Sequence, residues 1–182
     1  MLKGIYDFST GGRARVFCAN ATVTAMGAYT TAAGIGGPLL WNGSAVGGGN
    51  GVTAFILSCS YGLTVASTVA GAIGITGGGE QPAAPTSTTA IDGLDGLNYG
   101  DAAGPACTAY RIGTVAVVGE GLLVTGRIHT GAITVDTDDD NFVHLGGMIT
   151  VPTGCWAAVA GSAVLTTSVI QVSLCWAEVP NP

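Results

Sequence analysis

The run Thr53-Ala54-Phe55-Ile56-Leu57-Ser58-Cys59-Ser60-Tyr61-Gly62-Leu63-Thr64-Val65 alternates large apolar with small or polar residues. Phe55, Leu57, Cys59, Tyr61, Leu63 and Val65 fall on one face at a period of two, with Ala54, Ser58, Ser60 and Ala66 on the other. That spacing predicts a long, half-buried β-strand. Three further segments repeat the pattern: Leu122, Val124 and Ile128 inward with Thr125, Arg127 and His129 outward; Val143 and Leu145 inward with His144 outward; and Ile170, Val172, Leu174 and Trp176 inward against Gln171, Ser173 and Cys175. None has a helical period. Gly77-Gly78-Gly79, Asp92-Gly93, Asp95-Gly96, Gly104-Pro105, Gly119-Glu120-Gly121 and Pro152-Thr153-Gly154 supply turns between such runs. About eight strands fit between Leu39 and Val179, which predicts an all-β chain folded as an antiparallel β-sandwich or jelly roll. Its expected core contains Phe55, Leu57, Tyr61, Leu122, Val124, Leu145, Ile170, Val172, Leu174 and Trp176. Residues 1–36 lack such alternation and read as an extended N-terminal arm with some strand in it, leaving residues 37–182 for the sandwich. Glu80 to Gly104 reads as one long surface loop.

Charge is the second signal. From Val16 to Gly79 the chain runs 64 residues without Asp, Glu, Lys, Arg or His, in a protein only 9% charged. Ordinary soluble domains carry about 25% charged residues, so a chain that omits them expects its surface to be covered. Lipid is a poor cover, because Gly36-Gly37-Pro38, Asn42-Gly43-Ser44 and Gly47-Gly48-Gly49-Asn50-Gly51 interrupt every apolar run well before a spanning length. Other subunits are the remaining cover. Nucleic acid is excluded as a partner class: five basic side chains against eleven acidic ones form no cluster that could displace phosphate counterions. The start of the chain, with Lys3, Arg13 and Arg15 against Asp7, is slightly basic, so these three cations are the candidates for meeting an acidic partner surface.

Candidate chemistry is sparse. Asp136, Asp138 and Asp140 alternate like the opening of a calcium loop. However, Asn141 stands where that loop needs Gly and Gly147 where it needs Glu, so a solvated acidic turn is the expectation and the three aspartates stay a weak metal candidate. His129 and His144 have no ligand-spaced neighbours. No nucleophile elbow or recognisable base accompanies the many Ser and Thr residues, and the triple glycines lack a phosphate-loop lysine. The chain therefore reads as a non-enzyme with no cofactor. Cys18, Cys59, Cys107, Cys155 and Cys175 are odd in number and widely spaced, which predicts free thiols acting as small apolar side chains. No leader is seen at the amino end, so the sequons at Asn20 and Asn42 are expected to be unmodified.

The run Gly147-Met148-Ile149-Thr150-Val151-Pro152-Thr153-Gly154-Cys155-Trp156-Ala157-Ala158-Val159-Ala160, and the end Cys175-Trp176-Ala177-Glu178-Val179-Pro180, resemble the closing half of small tailed-bacteriophage virion proteins. Gly37-Pro38-Leu39-Leu40-Trp41-Asn42 and the run from Ser60 to Thr76 are similar to that group too. The resemblance spans about residues 37–179. It implies a tumour-necrosis-factor-like jelly roll that decorates, or cements, the capsid shell as a homotrimer. The partners would then be other copies and the major capsid protein, and the location the outer capsid surface after assembly in the host cytoplasm. The alternative is a receptor-binding or fibre-knob module. It would use exposed loops, but residues 80–104 offer only Tyr99 as an aromatic contact.

Overall fold

The computed structural model describes residues 15–32, 35–43, 51–79, 83–86, 90–91, 106–111, 114–128 and 141–181. Their strands are β1 (Arg15–Met26), β2 (Leu39–Trp41), β3 (Val52–Val65), β4 (Gly71–Gly78), β5 (Ala90–Ile91), β6 (Thr108–Tyr110), β7 (Leu122–Ile128), β8 (Asn141–Val151), β9 (Trp156–Gly161) and β10 (Leu165–Pro180). There is no helix among the described residues. Two antiparallel sheets form, ordered β1-β10-β3-β8 and β5-β6-β2-β9-β4-β7. With the short β5 and β6 set aside, the other eight strands, numbered afresh in chain order, lie 1-8-3-6 in one sheet and 2-7-4-5 in the other. This is the double Greek key of a jelly roll.

The core lies between the sheets. Phe17, Val23, Ile56, Ile73, Val159, Ile170, Leu174 and Trp176 are all at most 2% exposed and belong to one cluster. Inward faces follow the pairing register: Phe17, Trp176, Ile56 and Ile149 form one cross-sheet row, and Ala19, Leu174, Cys59 and Val143 the next. Tyr61, Leu145, Ile170, Val172, Leu174 and Trp176 are buried as the alternation predicts.

Four expected core residues are placed differently, in two strands that each contain a β-bulge. In β3, Ile56 pairs with Trp176 and Ser58 with Cys175, so Leu57 is the extra residue. A bulge shifts the alternation by one. Ahead of it Ala54 and Ile56 point inward, while Phe55 and Leu57 are only half-buried. In β7, Gly126 pairs with Ile73 and Val124 with Gly74, leaving Thr125 as the extra residue. Val124 is consequently 54% exposed and Leu122 half-buried. Thr125, expected outward, instead hydrogen-bonds the Cys59 side chain across the sandwich.

The stretch read as an arm divides. Residues 15–26 are β1, paired with β10 along its length and contributing Phe17, Ala19, Val23 and Met26 to the core. Residues 1–14 lie outside the described residues. Within the 80–104 stretch, Thr86 bridges Thr114 and β5 pairs β6, and the rest is mostly outside the described residues.

Polar groups stitch the strand ends. Asn42, fully buried, donates from Nδ2 to the carbonyls of Val52 and Val151 at 2.9 and 2.8 Å, tying β2 to β3 and β8. Glu178, 1% exposed, accepts from Ala106 N (2.8 Å), Cys107 N (2.9 Å) and Trp176 Nε1 (3.1 Å).

Candidate interaction surface

The outer faces of the two sheets differ in kind. On the six-stranded sheet, Leu39, Tyr110, Trp156, Ala158 and Ala160 point away from the main core, and Ile35 and Val115 join them in a second buried cluster. Backbone hydrogen bonds hold that cover in place: Tyr29 N to Gly161 O, Val115 N to Ala32 O, Gly119 N to Tyr29 O, and Glu120 N to Gly77 O. Trp156 Nε1 donates to Val117 O at 3.1 Å, so the largest side chain there is both buried and satisfied.

Nothing among the described residues covers the four-stranded sheet in this way. Its outward side chains lie in cross-strand rows. Val16, Ala177, Phe55 and Thr150 form the first row, Cys18, Cys175, Ser58 and His144 the second, Asn20, Ser173, Ser60 and Phe142 the third, and Thr22, Gln171 and Gly62 the fourth. Not one is Asp, Glu, Lys or Arg. A shallow depression of about 390 Å³ sits over Asn20, Thr22, Gln171 and Ser173. Four strands about 4.8 Å apart and rows about 6.8 Å apart give this face roughly 20 Å by 20 Å.

An apolar edge adjoins it. β1 lies beside β5 at one side of the sandwich, so β8 and β7 are the edge strands on the other. Leu123 (49% exposed) and Val124 belong to β7, Phe142 (60%) and Met148 (78%) to β8. Gly146 and Gly147 have φ of 57° and 78°, backbone that glycine adopts without a Cβ clash. They let β8 loop outward between Leu145 and Ile149, which leaves Met148 in the open.

The cysteines correct the expectation of five free thiols. Cys18 and Cys175 are direct cross-strand partners with Cα atoms 4.1 Å apart and form a disulfide on the outer face. Cys59, Cys107 and Cys155 are not in a disulfide. Burial pushes the Cys59 thiol up to about 11, with the Thr125 hydrogen bond opposing. Burial, then the charge and hydrogen bond of Glu178, hold Cys107 protonated well above the ordinary thiol range.

Of the three cations proposed for partner binding, Lys3 and Arg13 lie outside the described residues. Arg15 opens β1 opposite Glu178, half-buried, with its guanidinium carbon 4.9 Å over the Phe17 ring. Asp136, Asp138, Asp140 and His129 also lie outside the described residues, and no three His, Cys, Asp or Glu side chains gather among those described. No described helix is long and apolar enough to cross a membrane.

No family model, curated protein or solved structure matches the chain. Sequence reasoning missed the uncharged face as a unit. Its signal was present in the charge-free run through β1 and β3, but β8 and β10 complete the face from the far end of the chain. Glu178 was missed as a clamp, although a lone acid between Ala177 and Val179 at the end of an apolar strand marks it.

Proposed function

We propose that this protein is a non-enzymatic structural component of a virus particle, one that decorates and cements the capsid shell as a homo-oligomer. The observation that carries the reading is the contrast between the two sheet faces. One is sealed by the chain itself, and the other has fifteen outward positions in its four rows, all but Ala177 and Ser58 at least partly exposed, without a single full charge. Interface cores are depleted in charge, whereas a face left in water ordinarily carries it. A standard interface takes about 800 Å² from each partner. A face of roughly 20 Å by 20 Å falls short of that alone.

The edge and the face have only Phe142 in common, so a contact between them is heterologous and repeats from copy to copy until a ring closes. The resemblance of residues 37–179 to phage virion proteins supplies the number three and the capsid shell as the larger partner. In this reading Lys3 and Arg13, within residues 1–14, make ionic contacts to that shell.

The test is light scattering of the purified chain, with sedimentation of the chain alongside particle shells. A trimer that co-sediments with shells and raises their resistance to heat supports the reading. A monodisperse monomer of 17.9 kDa that never associates refutes it. A trimer that ignores shells but binds host surfaces moves the reading to a receptor-binding knob.

A further inference from the structure

His144 is the only side chain in the four outward rows that can gain a charge near neutral pH. It sits on β8, the strand shared by the uncharged face and the apolar edge. Its ring meets that of Phe142 edge-on at 5.0 Å, and Ser58 is its direct partner on β3. Beyond Ser58 in the same row lie Cys175 and Cys18, which are joined to each other and do not titrate. On β7, the edge strand of the facing sheet, Arg127 has the opposite parity to buried Ile128 and points away from the sandwich interior. Among the described residues no carboxylate on β1, β3, β8 or β10 shares this face to stabilise an imidazolium.

We propose that His144 gates self-association: a neutral ring is accommodated where one copy's face meets the next copy's edge, and a protonated ring is expelled. This rests on the reading that the face and edge are contacts between copies. A charge covered by Leu123, Val124 and Met148 of a neighbour would lose its water and, among the described residues of the face, meet no carboxylate. The sign follows. Protons bind the separated copies and not the contact, so association is complete at and above neutral pH and is lost as pH falls through the histidine range. Such a contact weakens between about pH 7.5 and about pH 5, by at most about tenfold for each pH unit. In a closed ring every contact carries one such group, so the loss compounds.

The experiment is sedimentation velocity of the full chain across that pH range, on the native protein, His144→Gln and His144→Lys. His144 is exposed, so all three fold alike, as circular dichroism would report. The native chain is expected to associate at the upper pH and separate at the lower. His144→Gln should stay associated throughout, and His144→Lys should be weakened already at the upper pH. Native protein and His144→Gln separating over the same pH range would overturn the proposal, as would His144→Lys assembling like the native chain. A native chain that is associated but indifferent to pH overturns the gate and leaves the contact standing. A native chain that is monomeric at every pH removes the contact as well.

Discussion

Glu178→Gln isolates the buried clamp at the end of β10. Besides the Cys107 thiol, three N–H groups donate to the carboxylate: Cys107 N and Trp176 Nε1 to Oε1, and Ala106 N to Oε2. Glutamine has the same shape, and its carbonyl can keep the two bonds at the Oε1 position. Its NH₂ then faces the Ala106 N–H, donor against donor. A buried donor left without a partner costs about 1–3 kcal/mol, and the two surviving bonds lose their charge assistance, about 0.5–1.5 kcal/mol each. The neutral amide costs less to bury than a carboxylate, which offsets part of this. The net expectation is a loss of about 2–3 kcal/mol. For a chain of this size that lowers Tm by about 4–12 °C. Urea unfolding and calorimetry measure it. Cys107 supplies an independent readout. With the carboxylate gone its thiol ionises at lower pH, visible as thiolate absorbance, while burial still keeps it above the ordinary range. A loss below about 1 kcal/mol would refute the reasoning, because it would mean that water already serves these donors. An unmoved Cys107 titration would refute the electrostatic part alone.

Replacing both disulfide cysteines, Cys18→Ala with Cys175→Ala, removes a link spanning 157 residues. Loop-closure entropy puts the loss at up to about 5 kcal/mol, read from urea midpoints with the reduced native protein as control. Ile56→Ala should cost about 2–5 kcal/mol and Leu57→Ala less than half as much, reversing the ranking that unbroken alternation implies; equal losses would remove the bulge from β3. Cys59 and Cys107 both have folded values raised above the unfolded thiol. Stability is therefore fully present below about pH 8.5 and declines as pH rises through that value towards the folded ones, and Cys59→Ala should flatten the decline measured by thermal melts.

The strands β3, β7, β8 and β10 were legible because each alternates over several residues, and alternation reports burial on one side of a sheet. Parity within β3 and β7 was not. A bulge is defined by what the partner strand pairs with, and Leu57 and Thr125 look like any other member of their runs. β1 was hidden for another reason. Its inward positions include Ala19 and Ala21, so the period is present but too small in side-chain size to stand out from Asn20 and Thr22. The disulfide needed the register of β1 against β10, which places residues 157 apart side by side. Charge carried further than periodicity. The missing charges between Val16 and Gly79 pointed to a covered surface, and the face on which they are missing became visible once β8 and β10 closed the sheet.

The position of the disulfide also decides how the sandwich bears load. β1 is an edge strand, and tension applied to residues 1–14 would open its ladder one pair at a time from Arg15, the weakest way to strain a sheet. That peeling can pass Arg15–Glu178, Val16–Ala177 and Phe17–Trp176, and then it meets the covalent link at Cys18. From there the pull enters β10, which is hydrogen-bonded to β1 on one side and β3 on the other and runs 16 residues. A strand held on both flanks and drawn along its axis must shear many hydrogen bonds at once. An unzipping joint thereby becomes a shear joint, and the amino-terminal segment is fastened to the middle of the sheet and not to its margin.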